Sequence, residues 1–170
     1  MSLRIAIVDC TDSVDTAQLK RQLSRCARRV RTRLRELSVA LVDSRTISRL
    51  HRQFLGVGGP TDVLTFPLET SGRPPRVVSG EVVLCVPLAR RRAAANGIGD
   101  ADELLLYALH GLLHLSGYED ATAKGFGRMH RAEDHILKSI GVGPIFRLPS
   151  AGRPKTKMPR RASVTRRGRA

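Results

Sequence analysis

HGLLHLSGYED, residues 110–120, is the stretch on which the reading of this 170-residue chain turns. His110 and His114 stand four apart. On a helix that spacing puts both imidazoles on one face, within reach of a single metal ion. Gly117 permits the backbone conformation that ends such a helix and turns the chain back. The turn can bring Asp120, at the tenth offset from His110, to the same ion. Two nitrogens and one carboxylate oxygen make a three-ligand zinc site with a fourth position open to water. Water so held has its pKa lowered toward about 7. Two histidines four apart in an apolar helix also fit core residues hydrogen-bonded to backbone. The glycine and the acid weigh against that, because they reproduce the spacing of the long zinc motif HExxHxxGxxH. The second position of that motif, a glutamate base in metalloproteases, is Gly111 here, which disfavours peptide hydrolysis.

Working outward, residues 103–115 are apolar nearly all round, as expected of the buried central helix of a domain. A last helix is predicted from about Thr122 to Ile140, ended by Gly141. Upstream, residues 3–9 and 39–43 read as strands, and so do 63–66, ended by Pro67, and 81–86. Leu19, Leu23, Cys26, Val30 and Leu34 recur at a helical period. The opposite face of that helix carries Lys20, Arg21, Arg25, Arg28, Arg29, Arg31, Arg33 and Arg35. Ser44 can cap a helix to about Leu55, the glycines of 56–60 make a loop, and Pro87 suits the first turn of an Ala-rich helix. The pattern predicts an α+β fold: a small mixed four-stranded sheet packed with about five helices, the central one carrying HxxxH.

Thirty Lys and Arg against fifteen Asp and Glu give a net charge of +15. Eight of those cations and no acid lie in residues 148–170, so residues 1–147 remain basic. A polyanion, with nucleic acid the commonest, is the natural partner, and a purely solubilising charge is the plainer alternative. The arginine-rich helix face, Arg25, Arg28 and Arg29 included, is either a solvated surface or a phosphate contact. With 4% aromatic residues and no Trp, stacked aromatic platforms are not expected. No apolar run reaches the roughly 18–20 residues of a membrane span. The three scattered cysteines and the absence of a signal pattern fit a cytoplasmic protein. The expected organisation is one domain, 1–147, followed by a basic, disordered tail, 148–170.

HGLLHLSGYED resembles the HGxLHLxGYDH signature of the YbeY family, the rRNA-maturation endoribonucleases. PTDVLTFP at 60–67 is similar to the family's PT(D/N)VLSFP strand, GEVVLC at 80–85 to its GDIVI strand, and 129–137 to its closing helix. The likeness extends over about residues 3–141. It implies a compact α+β fold, one zinc ion per chain and hydrolysis of single-stranded RNA, with ribosomal RNA and the ribosome as partners. The implied role is maturation of the small-subunit rRNA 3′ end and ribosome quality control. By the resemblance the metal ligands fall on His110, His114, which is also the catalytic candidate, and Asp120, where the family has a third histidine. Aspartate lowers the charge of the loaded site from +2 to +1, which weakens the Lewis acid and repels phosphate. His130 and His135 are backup candidates for the third ligand. The family's arginine before the PTDVLSF strand falls on Leu55, and Arg52, one turn earlier, is a substitute RNA contact. Thr61 and Asp62 either line the cleft or cap the strand, the second reading being preferred. Glu119 is the nearest spare carboxylate for a base, although exposure to solvent is its expected state. The alternatives are a non-catalytic RNA- or ribosome-binding protein that keeps the fold and metal, and another zinc hydrolase.

Overall fold

Strand and helix alternate through the first half of the chain, so its early strands are expected to pair in parallel across helical connections. The computed structural model describes residues 3–74, 76–143 and 145. The elements run β1 (Arg4–Asp9), α1 (Thr16–Ala27), β2 (Glu36–Val42), α2 (Ser44–Leu55), β3 (Val63–Ser71), β4 (Arg76–Cys85), α3 (Val86–Asn96), α4 (Asp100–Leu115) and α5 (Ala123–Ser139). The sheet order is β1-β2-β4-β3, with β1, β2 and β4 parallel and β3 antiparallel to β4. Among the described residues this is the expected mixed four-stranded sheet with five helices.

Alternation along β4 divides the core between the two sheet faces. Val82 and Leu84 join Leu37, Val39 and Leu41 of β2 in the large cluster under α4. Val83 and Cys85 join Ile47 of α2 and Leu64 of β3 in a smaller cluster on the other face. Residues 103–115 of α4 are all buried, as its sequence predicts. The helix lies so close to the sheet that a Cβ on Gly111 would stand 2.6 Å from a Val82 methyl.

Four local expectations change. Strand β3 continues past Pro67 to Ser71, with Pro67 opposite Gly80. It is an edge strand, where proline's missing N–H costs no ladder bond. Its partner β4 begins at Arg76 rather than near Glu81, so the two make a long hairpin. Asp43, not Ser44, caps α2, its side chain accepting from the Thr46 N–H at 2.7 Å. Finally, α1 ends at Ala27 instead of running to Leu34. Continued as a helix, the chain would set Arg25 against Arg29, Arg29 against Arg33 and Arg31 against Arg35, all like charges four apart. Residues 28–30 instead leave the helix in a tight turn, 31–34 run on without regular structure, and Leu34 still reaches the core. The basic segment 148–170 lies outside the described residues.

Candidate metal centre

The centre is built where α4 ends. Ser116 closes the helix and Gly117, at φ +97°, takes the left-handed conformation that glycine adopts without strain. The Gly117 N–H donates to the His114 carbonyl and the Tyr118 N–H to the Leu113 carbonyl, each at 3.0 Å, the paired bonds of a Schellman turn. The chain thereby reverses and carries residues 118–120 back across the helix end. Helix α5 follows, capped by Thr122, whose side chain accepts from the Gly125 N–H. A Cβ on Gly125 would lie 2.3 Å from the Glu119 carbonyl oxygen, so α5 presses directly on the turn that bears Asp120.

Three ligand atoms converge there. The Nε2 atoms of His110 and His114 are 3.0 Å apart, and Asp120 Oδ2 is 3.7 Å from each. Ligands at about 2.1 Å in tetrahedral array stand about 3.4 Å from one another, close to these edges. The other ring nitrogens are committed. His114 Nδ1 lies 3.1 Å from the Tyr118 carbonyl, which can only accept, so Nδ1 donates. His110 Nδ1 donates to Glu133 Oε1 at 2.7 Å. With Nδ1 donating on each ring, the two Nε2 atoms are left facing each other and a carboxylate oxygen. Two imidazole nitrogens and one carboxylate oxygen at these distances make a donor set that fits a metal ion. The C-terminal end of α4 adds the negative pole of its helix dipole.

Glu133, wholly buried on α5, fixes this geometry. Its second oxygen accepts from His130 Nδ1 at 2.6 Å. Burial alone would raise its pKa, yet the hydrogen bonds and charges of His110 and His130 outweigh it and hold the carboxyl at about 2. Its contribution to stability is therefore complete above the ordinary glutamate range and is lost as pH falls from there through about 2. Asp120, half-buried, likewise has burial opposing its charge, but His114 and His110 beside it hold its carboxyl below the ordinary range. Glu133→Gln leaves one acceptor oxygen for the two Nδ1 donors of His110 and His130 and removes the charge that strengthens both bonds. A chelator-competition titration should then show zinc affinity about 10- to 100-fold weaker with the fold intact. Unchanged affinity would show that Glu133 does not orient the ring.

The other candidates are distributed as follows. His130 is held by Glu133 rather than aimed at the centre, and His135 is exposed. Thr61 and Asp62 are buried, and Asp62 accepts from the Val63 N–H and the Thr61 hydroxyl, the strand-capping role preferred above. Glu119 is exposed. Arg52 lines a pocket beside α2 with Arg49 and Gly59, and Leu55 packs against the smaller core cluster. Arg25, Arg28 and Arg29 are exposed at the end of α1. The cavity that His114 lines is walled instead by Arg31, Arg33 and Arg76. Sequence reading passed over Glu133, although the signal was there: it falls in the apolar phase of α5, set by Met129, Ile136, Leu137 and Ile140.

The family model described as endoribonuclease YbeY matches residues 5–141. The chain belongs to the YbeY family. Among YbeY relatives, the endoribonuclease YbeY of Moorella thermoacetica is 38% identical over 115 residues, 63% of this chain and 74% of that protein. The endoribonuclease YbeY of Kineococcus radiotolerans is 36% identical over 135 residues, 76% of each chain. The solution structure of TM1509 from Thermotoga maritima superposes with a TM-score of 0.55 at 26% identity, over 88% of this chain and all of that one. The YbeY match takes in every residue of the centre, from His110 through Glu133. No helix among the described residues is long and apolar enough to cross a membrane.

Proposed function

We propose that His110, His114 and Asp120 hold one zinc ion and that the chain uses it to hydrolyse phosphodiester bonds of single-stranded ribosomal RNA in rRNA maturation. Membership of the YbeY family supports the endoribonuclease activity. The observation that carries the site assignment is the convergence of two Nε2 atoms and a carboxylate oxygen, with both histidine rings held from behind through Nδ1. A bound divalent ion supplies Lewis acidity toward water or a phosphate oxygen. The protein supplies the rest. Glu133 and the Tyr118 carbonyl keep both imidazoles in the ligating tautomer. Asp120 closes the third corner from the turn, and burial of the rings keeps bulk water from competing. Action at the small-subunit rRNA 3′ end, on or near the ribosome and in the cytoplasm, rests on the family resemblance.

The test pairs metal analysis with cleavage of a single-stranded rRNA fragment, on wild type and on Asp120→His. Wild type should carry about one zinc per chain and cleave. Asp120→His should keep the metal and cleave faster, because a neutral third ligand restores one unit of positive charge. A wild type that takes up no zinc would overturn the site. Zinc with salt-sensitive RNA binding but no cleavage would favour the binding-protein alternative.

A further inference from the structure

The charges at the centre leave a question of how it attracts a polyanion. Asp120 and buried Glu133 together match the two charges of a divalent ion, so the loaded centre offers phosphate little net attraction. The positive potential must come from other side chains. A cavity of about 740 Å3 opens from His114 and the turn of residues 116–119 to Arg31, Arg33 and Arg76. A second cavity, of about 410 Å3, shares Thr32, Arg33 and Arg76 with the first and continues to Arg35 and Arg73 at the tip of the β3–β4 hairpin. The two form one furrow between the 28–35 loop and that hairpin, with His114 and the turn that leads to Asp120 at one end. The Arg35 N–H donates to the Val78 carbonyl at 2.8 Å, which fixes the loop against β4. Arg31, Arg33, Arg73 and Arg76 are exposed, and none pairs with a carboxylate among the described residues. Among the described residues the lining contains one acid, Glu119, on the turn after α4.

We propose that single-stranded RNA leaving the metal centre runs along this furrow, its phosphates held by Arg31, Arg33, Arg73 and Arg76, rather than along the basic face of α1. The proposal rests on the RNA-cleaving reading above and assigns the strand's path. Unpaired guanidinium groups in a row bind backbone phosphate without reading sequence, and their planes can also stack on unpaired bases. Among the described residues Tyr118 is the one Phe, Tyr or Trp in the lining, and the Arg128 guanidinium lies 5.5 Å from its centroid. Base-stacking by aromatic residues is thus minor here, and charge dominates.

Two variants of the full chain with equal loss of charge test the path: Arg31→Ser/Arg33→Ser/Arg76→Ser, and Arg25→Ser/Arg28→Ser/Arg29→Ser. Each is loaded with zinc, and its Kd for a fluorescein-labelled single-stranded rRNA fragment is measured by anisotropy across a salt series. The furrow variant should bind at least about tenfold more weakly. Its log Kd against log salt slope should be smaller by about 2, the value for three lost contacts to a single strand. The α1 variant should change Kd less than about threefold, and both should keep the wild-type zinc content. Equal losses in the two variants, or a furrow variant within twofold of wild type, would overturn the proposal. If wild type fails to cleave while the furrow variant alone loses affinity, the catalytic reading falls and the RNA path stands.

Discussion

His114→Ala should abolish stoichiometric zinc binding and lower RNA cleavage on the order of a thousandfold or more. Bulk water ionises near pH 15.7 and metal-bound water near about 7, so loss of the ion removes the principal source of nucleophile at neutral pH. The substitution acts twice. It removes one ligand, and it leaves the Tyr118 carbonyl, 3.1 Å from Nδ1 in the native protein, without its donor. The orphaned carbonyl and the vacated volume should cost about 2–3 kcal/mol, so circular dichroism must accompany the assay. His51→Ala, which removes an imidazole on α2 bonded to the Gly59 carbonyl, is the matched control and should retain both zinc and activity. RNA binding at low salt should survive His114→Ala, because the arginines are untouched. A variant that cleaves normally without zinc would sink the metal mechanism.

Gly111→Ala should destabilise the protein by about 1–3 kcal/mol, the usual range for overpacking a filled core. The added Cβ would sit 2.6 and 2.7 Å from the two methyls of Val82. Val82 is wholly buried and β-branched, so it has no flexible end to swing away. In thermal unfolding the midpoint should fall by about 3–9 °C, and Val82→Ala in the same chain should recover part of the loss. Gly111→Glu should not fold, since it adds a buried, unpaired carboxylate to the same clash. The glutamate base of metalloproteases is therefore absent for a packing reason: α4 meets β4 where that side chain would start. A Gly111→Ala protein melting at the wild-type temperature would contradict this close approach.

What could be read in the residues was what is local in the chain. The i, i+4 histidines, the helix-ending Gly117 and the acid three residues later all lie within one helix and its turn. Short-range geometry alone therefore brings them together. The limits of β3 were hidden because proline ends a strand in most contexts and is harmless on an edge, and edge position is a property of the sheet. The end of α1 was hidden because no glycine or proline marks it. Val30 and Leu34 keep the helical period only because the loop also packs against the core. Glu133 was passed over because its partners, His110 across the helix pair and His130 one turn away, make a buried acid tolerable only once the helices are docked.

The chain's division of labour has a practical consequence. The groups proposed to hold the ion and orient its rings come from one continuous run, α4 through α5, whereas the arginines of the furrow sit on a loop and a hairpin tip borrowed from distant parts of the sequence. Those outlying segments can thus be lengthened, shortened or recharged, and the choice of transcript retuned, without disturbing the α4–α5 run.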